Sequence, residues 1–179
     1  IEPDGAERWI EHAPFDHHTA SREQSLAWLR DCGIVGLGGA TFPSHVKLGK
    51  GSGIETLILN GAECEPWITC DDRLMRERAA DVVKGIRLLA ERMQPREVLV
   101  GIEDNKPEAI AGMTAAVAGT GIEVVPVPTR YPGGGAKQLI RVLTGKEVPH
   151  GRRSTDYGVQ CFNVATAYTV WQALERGIP

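Results

Sequence analysis

The chain has 179 residues, a formal net charge of −3, and 42% hydrophobic and 24% charged residues. That length supports one domain with a proper core, and the balance reads as soluble and globular. No apolar run approaches the roughly 20 residues of a membrane helix, and no basic stripe marks nucleic acid as a main partner.

The four cysteines are Cys32, Cys64, Cys70 and Cys161. None form C-x-x-C, so no zinc or iron–sulfur ligand set is expected. Cys64 and Cys70 would pair only in an oxidising setting. With no export signal, reduced thiols in a cytoplasmic domain are expected. The first residue is Ile1 rather than Met, as in a piece of a longer protein.

Residues 1–20 hold two prolines, three histidines (His12, His17, His18) and few apolar side chains, and read as an extended lead-in. The histidines lack the cysteine or carboxylate pattern of a metal site. Ser21 as N-cap and Gly33 as C′ stop frame a helix over 22–32, with Leu26, Trp28, Leu29 and Ile34 supplying its apolar side.

The stretch from Gly33 to Lys47, GIVGLGGATFPSHVK, follows. Gly33, Gly36, Gly38 and Gly39 open the backbone to positive φ and to close ligand approach. Ser44 after Pro43 opens a short helix whose N–H groups face an anion, and Lys47 adds a charge. The pattern reads as a cradle for a phosphorylated ligand, with a mobile surface loop as the alternative. It is not G-x-G-x-x-G, since Thr41 takes the third place and a helix precedes it, and it is not a P-loop.

Ile54 to Leu59 reads as a buried strand ending at Asn60. The loop after it, NGAECEPWITCDD, places Glu63 and Glu65 around Cys64 at a strand's carboxyl end, where open α/β sheets bind ligands. Ordinary solvated charge is the alternative. Asp71 or Asp72 then caps a long helix running to about Met93. Glu97–Ile102 is a second strand, Lys106 or Pro107 starts a helix to about Ala118, and Ile122–Val127 is a third strand.

Thr129 to Leu139, TRYPGGGAKQL, again leads from a strand through glycines (Gly133, Gly134, Gly135) into a helix carrying Lys137. Tyr131 is placed to stack on a flat ligand or to pack in the core. Thr144–Asp156 is polar, Gly158–Asn163 is one more short strand, and 164–176 is a final helix ended by Gly177. Alternating strands and helices give an α/β fold: a Rossmann-like parallel sheet flanked by helices over residues 21–179. Two glycine loops with an E-x-E loop between them point to a shared site for a ligand with phosphate and a flat ring.

Taken together, GIVGLGGATFPSHVKL, IETLILNGAECEPWITCDDRLM, GIEDNKP, YPGGGAKQLIRVLTGKEVPHGRRSTDYG and FNVATAY closely resemble the RnfC family, a component of the bacterial Rnf electron-transport complex. The core is also similar to the flavin-binding subunit of respiratory complex I. The resemblance implies noncovalent flavin mononucleotide (FMN), hydride exchange with NAD(H), and onward passage of electrons to iron–sulfur clusters, as in an ion-translocating NADH:ferredoxin type of complex. It implies a peripheral place on the cytoplasmic face of the bacterial inner membrane, beside the other subunits. A non-catalytic docking module of a membrane reductase complex that keeps a redox-sensing regulator reduced is the alternative.

By motif position, Gly36, Gly38, Gly39 and Ala40 match the flavin cradle, Phe42 an aromatic of the nicotinamide cleft, and Lys47 a lysine at the flavin. Asn60 and Glu63 match flavin contacts, and Glu65 a carboxylate close to flavin and nicotinamide. Tyr131 and Gly134 match flavin-site residues, and Asn163 and Thr166 match an N-V-x-T that holds the flavin. Two departures stand out. Thr41 replaces a small glycine, which narrows the cradle. Gly135 and Ala136 stand where the complex I subunit has paired glutamates that help seat NADH, and Lys137 next to them offers a charge to a phosphate. The family's full-length chains carry [4Fe-4S] cluster motifs and a small β-rich domain, neither of which is in this chain.

Overall fold

The computed structural model describes residues 5–6, 15–50 and 53–179; His12 lies outside the described residues. Four parallel strands, β1 (Thr56–Gly61), β2 (Glu97–Glu103), β3 (Glu123–Val127) and β4 (Val159–Asn163), form one sheet in the order β3-β2-β1-β4. The helices are α1 (Arg22–Asp31), α2 (Ser44–Gly49), α3 (Cys70–Glu77), α4 (Ala79–Met93), α5 (Pro107–Ala116), α6 (Ala136–Thr144) and α7 (Val164–Arg176). The α/β expectation is borne out.

The central strand β1 is apolar on both faces because helices cover both. Leu57 and Leu59 join a large core with α1, α4, α5 and α7. Ile58 points the other way, into a smaller core with Leu139 and Ile140 of α6. The chain steps from β1 to β2 to β3 in one direction, then returns past β1 to β4. That reversal sends α6 to the opposite face from α4 and α5. It also puts the switch in strand order between β1 and β4, the place where such sheets open a crevice at their carboxyl ends. Asn60 and Asn163 are register partners there. Helices α4 and α7 cross at Gly85, where a Cβ would fall 1.9 Å from the Ala167 carbonyl oxygen.

Helix α1 matches its sequence signals: Ser21 and Gln24 form a full capping box, and Gly33 takes φ +69°. Two expectations need correction. The single helix to Met93 is two, broken at Arg78 (φ −133°, ψ 28°). Helix α3 seats Met75 beside Gly61 and pairs Arg76 with Glu108 at the start of α5, whereas α4 lies along α7. One straight helix cannot follow both courses, and no Gly or Pro marks the break. The described end of the lead-in is a turn rather than an extended segment. Asp16 accepts from the His18 N–H and the Thr19 hydroxyl, and Phe15 stacks on Trp28 with ring centroids 4.8 Å apart. The polar stretch after α6 contains a short 3-10 turn, Ser154–Tyr157.

Candidate functional site

The first glycine loop is closed at its neck. Val35 and Pro43 form an antiparallel bridge, Gly36 N–H donates to the Phe42 carbonyl at 2.8 Å, and Ser44 N–H donates to the Ile34 carbonyl at 3.0 Å. Its crown is tied to α7, since the Leu37 N–H donates to Thr166 Oγ1 at 2.9 Å. A Cβ on Gly38 would lie 3.3 Å from Asn163 Cβ, so the loop packs on the β4–α7 junction. Gly39 takes φ +97°.

The other loops are stitched to the same place. Asn60 Nδ2 donates to the Gly134 carbonyl at 2.7 Å, and its Oδ1 accepts from the Ala62 N–H. Gly134 lies against Cys64, where a Cβ would come within 2.9 Å of Sγ. Asn163 Oδ1 caps α7 by accepting from the Ala165 and Thr166 N–H groups, while its Nδ2 donates to Asp71 Oδ2. The two asparagines thus act as connectors that hold three loops in register.

Between these loops opens a cleft of about 380 Å3. Gly36, Gly38, Ala40, Phe42, Lys47, Asn60, Glu65, Tyr131, Gly134, Gly135, Asn163 and Thr166 line it, so most of the residues expected at the site meet in one crevice. Gly39, Glu63 and Lys137 are not among its lining residues. Glu63 takes φ +45° and turns its carboxylate onto the start of α3, accepting from the Asp71 N–H at 2.7 Å and the Asp72 N–H at 2.9 Å. Lys137 Nζ donates to the Pro149 carbonyl at 2.7 Å, so its charge is held against the chain's own backbone. Thr41 does not line the cleft either; its peculiarity is a φ of +50°. Tyr131 is 71% exposed and therefore stands free to stack rather than filling the core.

Ser44 and Ala136, noted in the sequence beside an anion and the NADH seat, also line the cleft, whereas Cys64, Pro132, Cys161 and Phe162 were not expected there. Ser44 carried a signal, being the first residue of the short helix beside Lys47. Phe162 and Cys161 carried none, because a strand end that forms a cleft floor looks like any buried strand.

The electrostatics of the crevice are specific. Lys47 Nζ sits 4.5 Å from the Phe162 ring centroid, and burial pulls its pKa below the usual lysine range. No hydrogen bond or ion pair from Nζ occurs among the described residues. Ser44 is 1% exposed and its Oγ has no hydrogen-bond partner among them. A half-buried cation with no anion beside it and a buried, orphaned hydroxyl in one crevice both gain from a ligand that satisfies them. An anionic ligand does so, which fits a flavin phosphate. Cys161 beside them is pushed up to about 11 by burial and stays a neutral thiol.

On the adjoining side, Asp71 is 7% exposed and its pKa is raised to about 6, chiefly by burial. Glu63, Cys70 and Asp71 bring potential metal-ligand atoms within 4.8 Å of one another. The positive end of α3 and the N–H bonds to Glu63 occupy that corner, which favours negative charge and disfavours a cation. The His17 and His18 rings lie 3.9 Å apart, tilted by 39°, with His17 near Glu175 on α7; neither lines the cleft. Among the described residues, no helix is long and apolar enough to cross a membrane.

A family model described as the Nuo51 FMN-binding domain matches residues 29–172. The C subunit of the ion-translocating oxidoreductase complex of Citrobacter koseri is 56% identical over all of this chain, and that of Salmonella typhimurium is 55% identical over all of it. This chain spans about a quarter of the length of those relatives, 26% and 25%. Among solved structures, an NAD+-reducing [NiFe]-hydrogenase superposes with TM-score 0.72 in its air-oxidized state and 0.70 in its H2-reduced state. Both are 22% identical, cover 86% of this chain, and share 30% and 31% of their own length, which establishes a common fold. The chain belongs to the Nuo51 FMN-binding domain family, and over its whole length it matches the proteins named as RnfC.

Proposed function

We propose that this chain is the FMN- and NAD(H)-binding module of an Rnf-type electron-transport complex. The single observation that carries the reading is the unsatisfied pair, Lys47 Nζ and Ser44 Oγ, inside a cleft built by three loops at the sheet's switch point. FMN, when bound there, supplies acceptance of hydride from NADH and release of electrons one at a time toward iron–sulfur clusters elsewhere in the complex.

The chain's own residues bind and orient. Lys47 and Ser44 offer a charge and a hydroxyl to the phosphate. Gly36, Gly38 and Gly134 keep the walls free of side chains so that a ring can approach the backbone. Phe42 and Lys47 also border a second groove with Lys50 and Arg153, whose positive charges suit the pyrophosphate of a dinucleotide. Among the described residues Glu65 is the one carboxylate lining the cleft; it disfavours extra negative charge there and shapes the nicotinamide's side. No side chain need move a proton for hydride transfer, so positioning is the protein's task.

Flavin titration of the purified chain, then anaerobic NADH addition while following the visible flavin band, tests the reading. Binding followed by bleaching is the expected result. Binding without bleaching would put the NADH half at fault, at Gly135 and Ala136. Glu65→Gln is expected to change NADH oxidation and leave flavin bound; unchanged NADH kinetics would remove Glu65 from the site. The alternative, a docking module without hydride chemistry, predicts a chain that joins its complex yet binds no flavin.

A further inference from the structure

The loop after β1 borders a second, separate cleft of about 520 Å3, because Cys64 and Glu65 face both. Glu103, at the carboxyl end of β2, forms its floor and is 2% exposed. Its Oε2 pairs with Lys106 Nζ at 2.7 Å, whereas Oε1 is buried with no hydrogen-bond partner among the described residues. Lys106 also donates to the Ala62 carbonyl at 2.9 Å, so this ammonium has other acceptors to serve. The wall charges do not balance. Glu63, Glu65, Asp72, Glu103 and Glu108 stand against Arg76 and Lys106.

The rim is apolar. Trp67 is 100% exposed and Ile68 is 48% exposed. Trp67 also holds φ +68°, a conformation that bulky residues rarely adopt. Nothing within the described residues covers the indole.

We propose that this cleft docks a separate polypeptide of the complex, which inserts an arginine or lysine side chain toward Glu103 Oε1 and packs an apolar residue on Trp67. A basic side chain supplies both the donor that the orphaned oxygen lacks and the charge that the acidic walls lack. An exposed tryptophan beside a buried charge partner is the usual composition of an interface anchor. The inference rests on the reading of this chain as one part of a larger assembly, and is independent of whether flavin binds.

The test uses the full-length protein in its assembled complex, with the photoreactive residue p-benzoylphenylalanine in place of Ile68. The expected product is a crosslink to another polypeptide of the complex, mapped by mass spectrometry to a segment holding an arginine or lysine. Trp67→Gly relieves the backbone and removes no contact inside the fold, and is expected to cut the crosslink at least about fivefold. Glu103→Gln is expected to do the same, with folding checked by thermal melting; Trp67→Gly decides if that variant fails to fold. A crosslink within the same chain, to a segment without a basic residue, unaffected by Trp67→Gly, or absent altogether overturns the proposal. Failure of the protein to co-purify with any other polypeptide of the complex would instead overturn the assembly reading and this proposal with it.

Discussion

The Leu37 N–H donates to Thr166 Oγ1 at 2.9 Å, joining residues 129 apart and fixing the crown of the glycine loop to the first turn of α7. Thr166 is 1% exposed, so nothing else in solvent replaces its hydroxyl. Thr166→Val keeps the shape and removes the acceptor, at a cost of about 1 kcal/mol in denaturant unfolding. A loosened cradle is expected to weaken FMN binding about tenfold, and Thr166→Ser to restore it. Unchanged affinity for FMN in the valine variant would mean that the loop is held elsewhere.

The Glu63 carboxylate satisfies two backbone donors at the start of α3, where Thr69, the N-cap residue, makes no side-chain bond. It works as a cap supplied from eight residues upstream, with its charge at the positive end of the helix. Glu63→Ala is expected to cost about 2 kcal/mol and Glu63→Gln about half of that. Direct flavin contact by this side chain predicts something else: a loss of FMN affinity in Glu63→Gln with little change in stability. Urea unfolding and flavin titration on one preparation separate the two.

Legibility followed the range of the interactions. Strand β1, helix α1 and the stop at Gly177 depend on local periodicity and capping, and the sequence displays both. The cleft lining was legible because glycines and asparagines at strand ends have few other reasons to be there. Glu63 and Lys137 stand outside the cleft lining for the opposite reason. Motif position puts them beside the flavin, but a long side chain chooses among partners that only the folded chain brings near, here the α3 N–H groups and the Pro149 carbonyl. The break at Arg78 had no local cause and follows from α3 and α4 having different neighbours.

Thr41 holds φ +50°, a conformation that glycine adopts at less cost. The left-handed region costs an L-residue about 1–2 kcal/mol, while glycine gives back about 0.5–1 kcal/mol through its freer unfolded chain. Thr41→Gly is therefore expected to raise stability slightly, by about 0.5 kcal/mol, and to leave the cleft unchanged. A fall in melting temperature would show that the threonine side chain makes a contribution that outweighs its backbone.

The proposed partner of Lys47 is the phosphate, which carries the fixed charge of FMN, because Nζ has no anionic partner among the described residues. FMN is expected to bind far more tightly than riboflavin, which lacks the phosphate. Lys47→Met should erase most of that preference, roughly a hundredfold loss for FMN, with riboflavin affinity within about twofold of the parent. Equal losses for both ligands would place the ammonium at the ring instead. Ser44→Ala, which removes an orphaned hydroxyl, is expected to weaken FMN modestly and to leave the free protein as stable or slightly more so.

Asp71 couples the cleft to pH. Burial comes first among the causes that raise its pKa to about 6; Glu63 and Glu65 add to the rise, while the Asn163 hydrogen bond and Lys106 oppose it. In the unfolded chain the group returns to the ordinary carboxylate range near 4. Between about pH 4 and pH 6 the folded state therefore binds more protons than the unfolded one, and stability falls as pH rises through that window. Above it the penalty is constant, on the order of 3 kcal/mol. Asp71→Asn keeps an oxygen acceptor for Asn163 and removes the buried charge. It is expected to be the more stable protein at pH 8, to lose that advantage near pH 4, and to unfold with a flatter pH profile between. Urea unfolding at about pH 4.5 and pH 8 checks it. A variant less stable than the parent at pH 8 would mean that the charge itself holds Asn163, and through it the start of α7, in place.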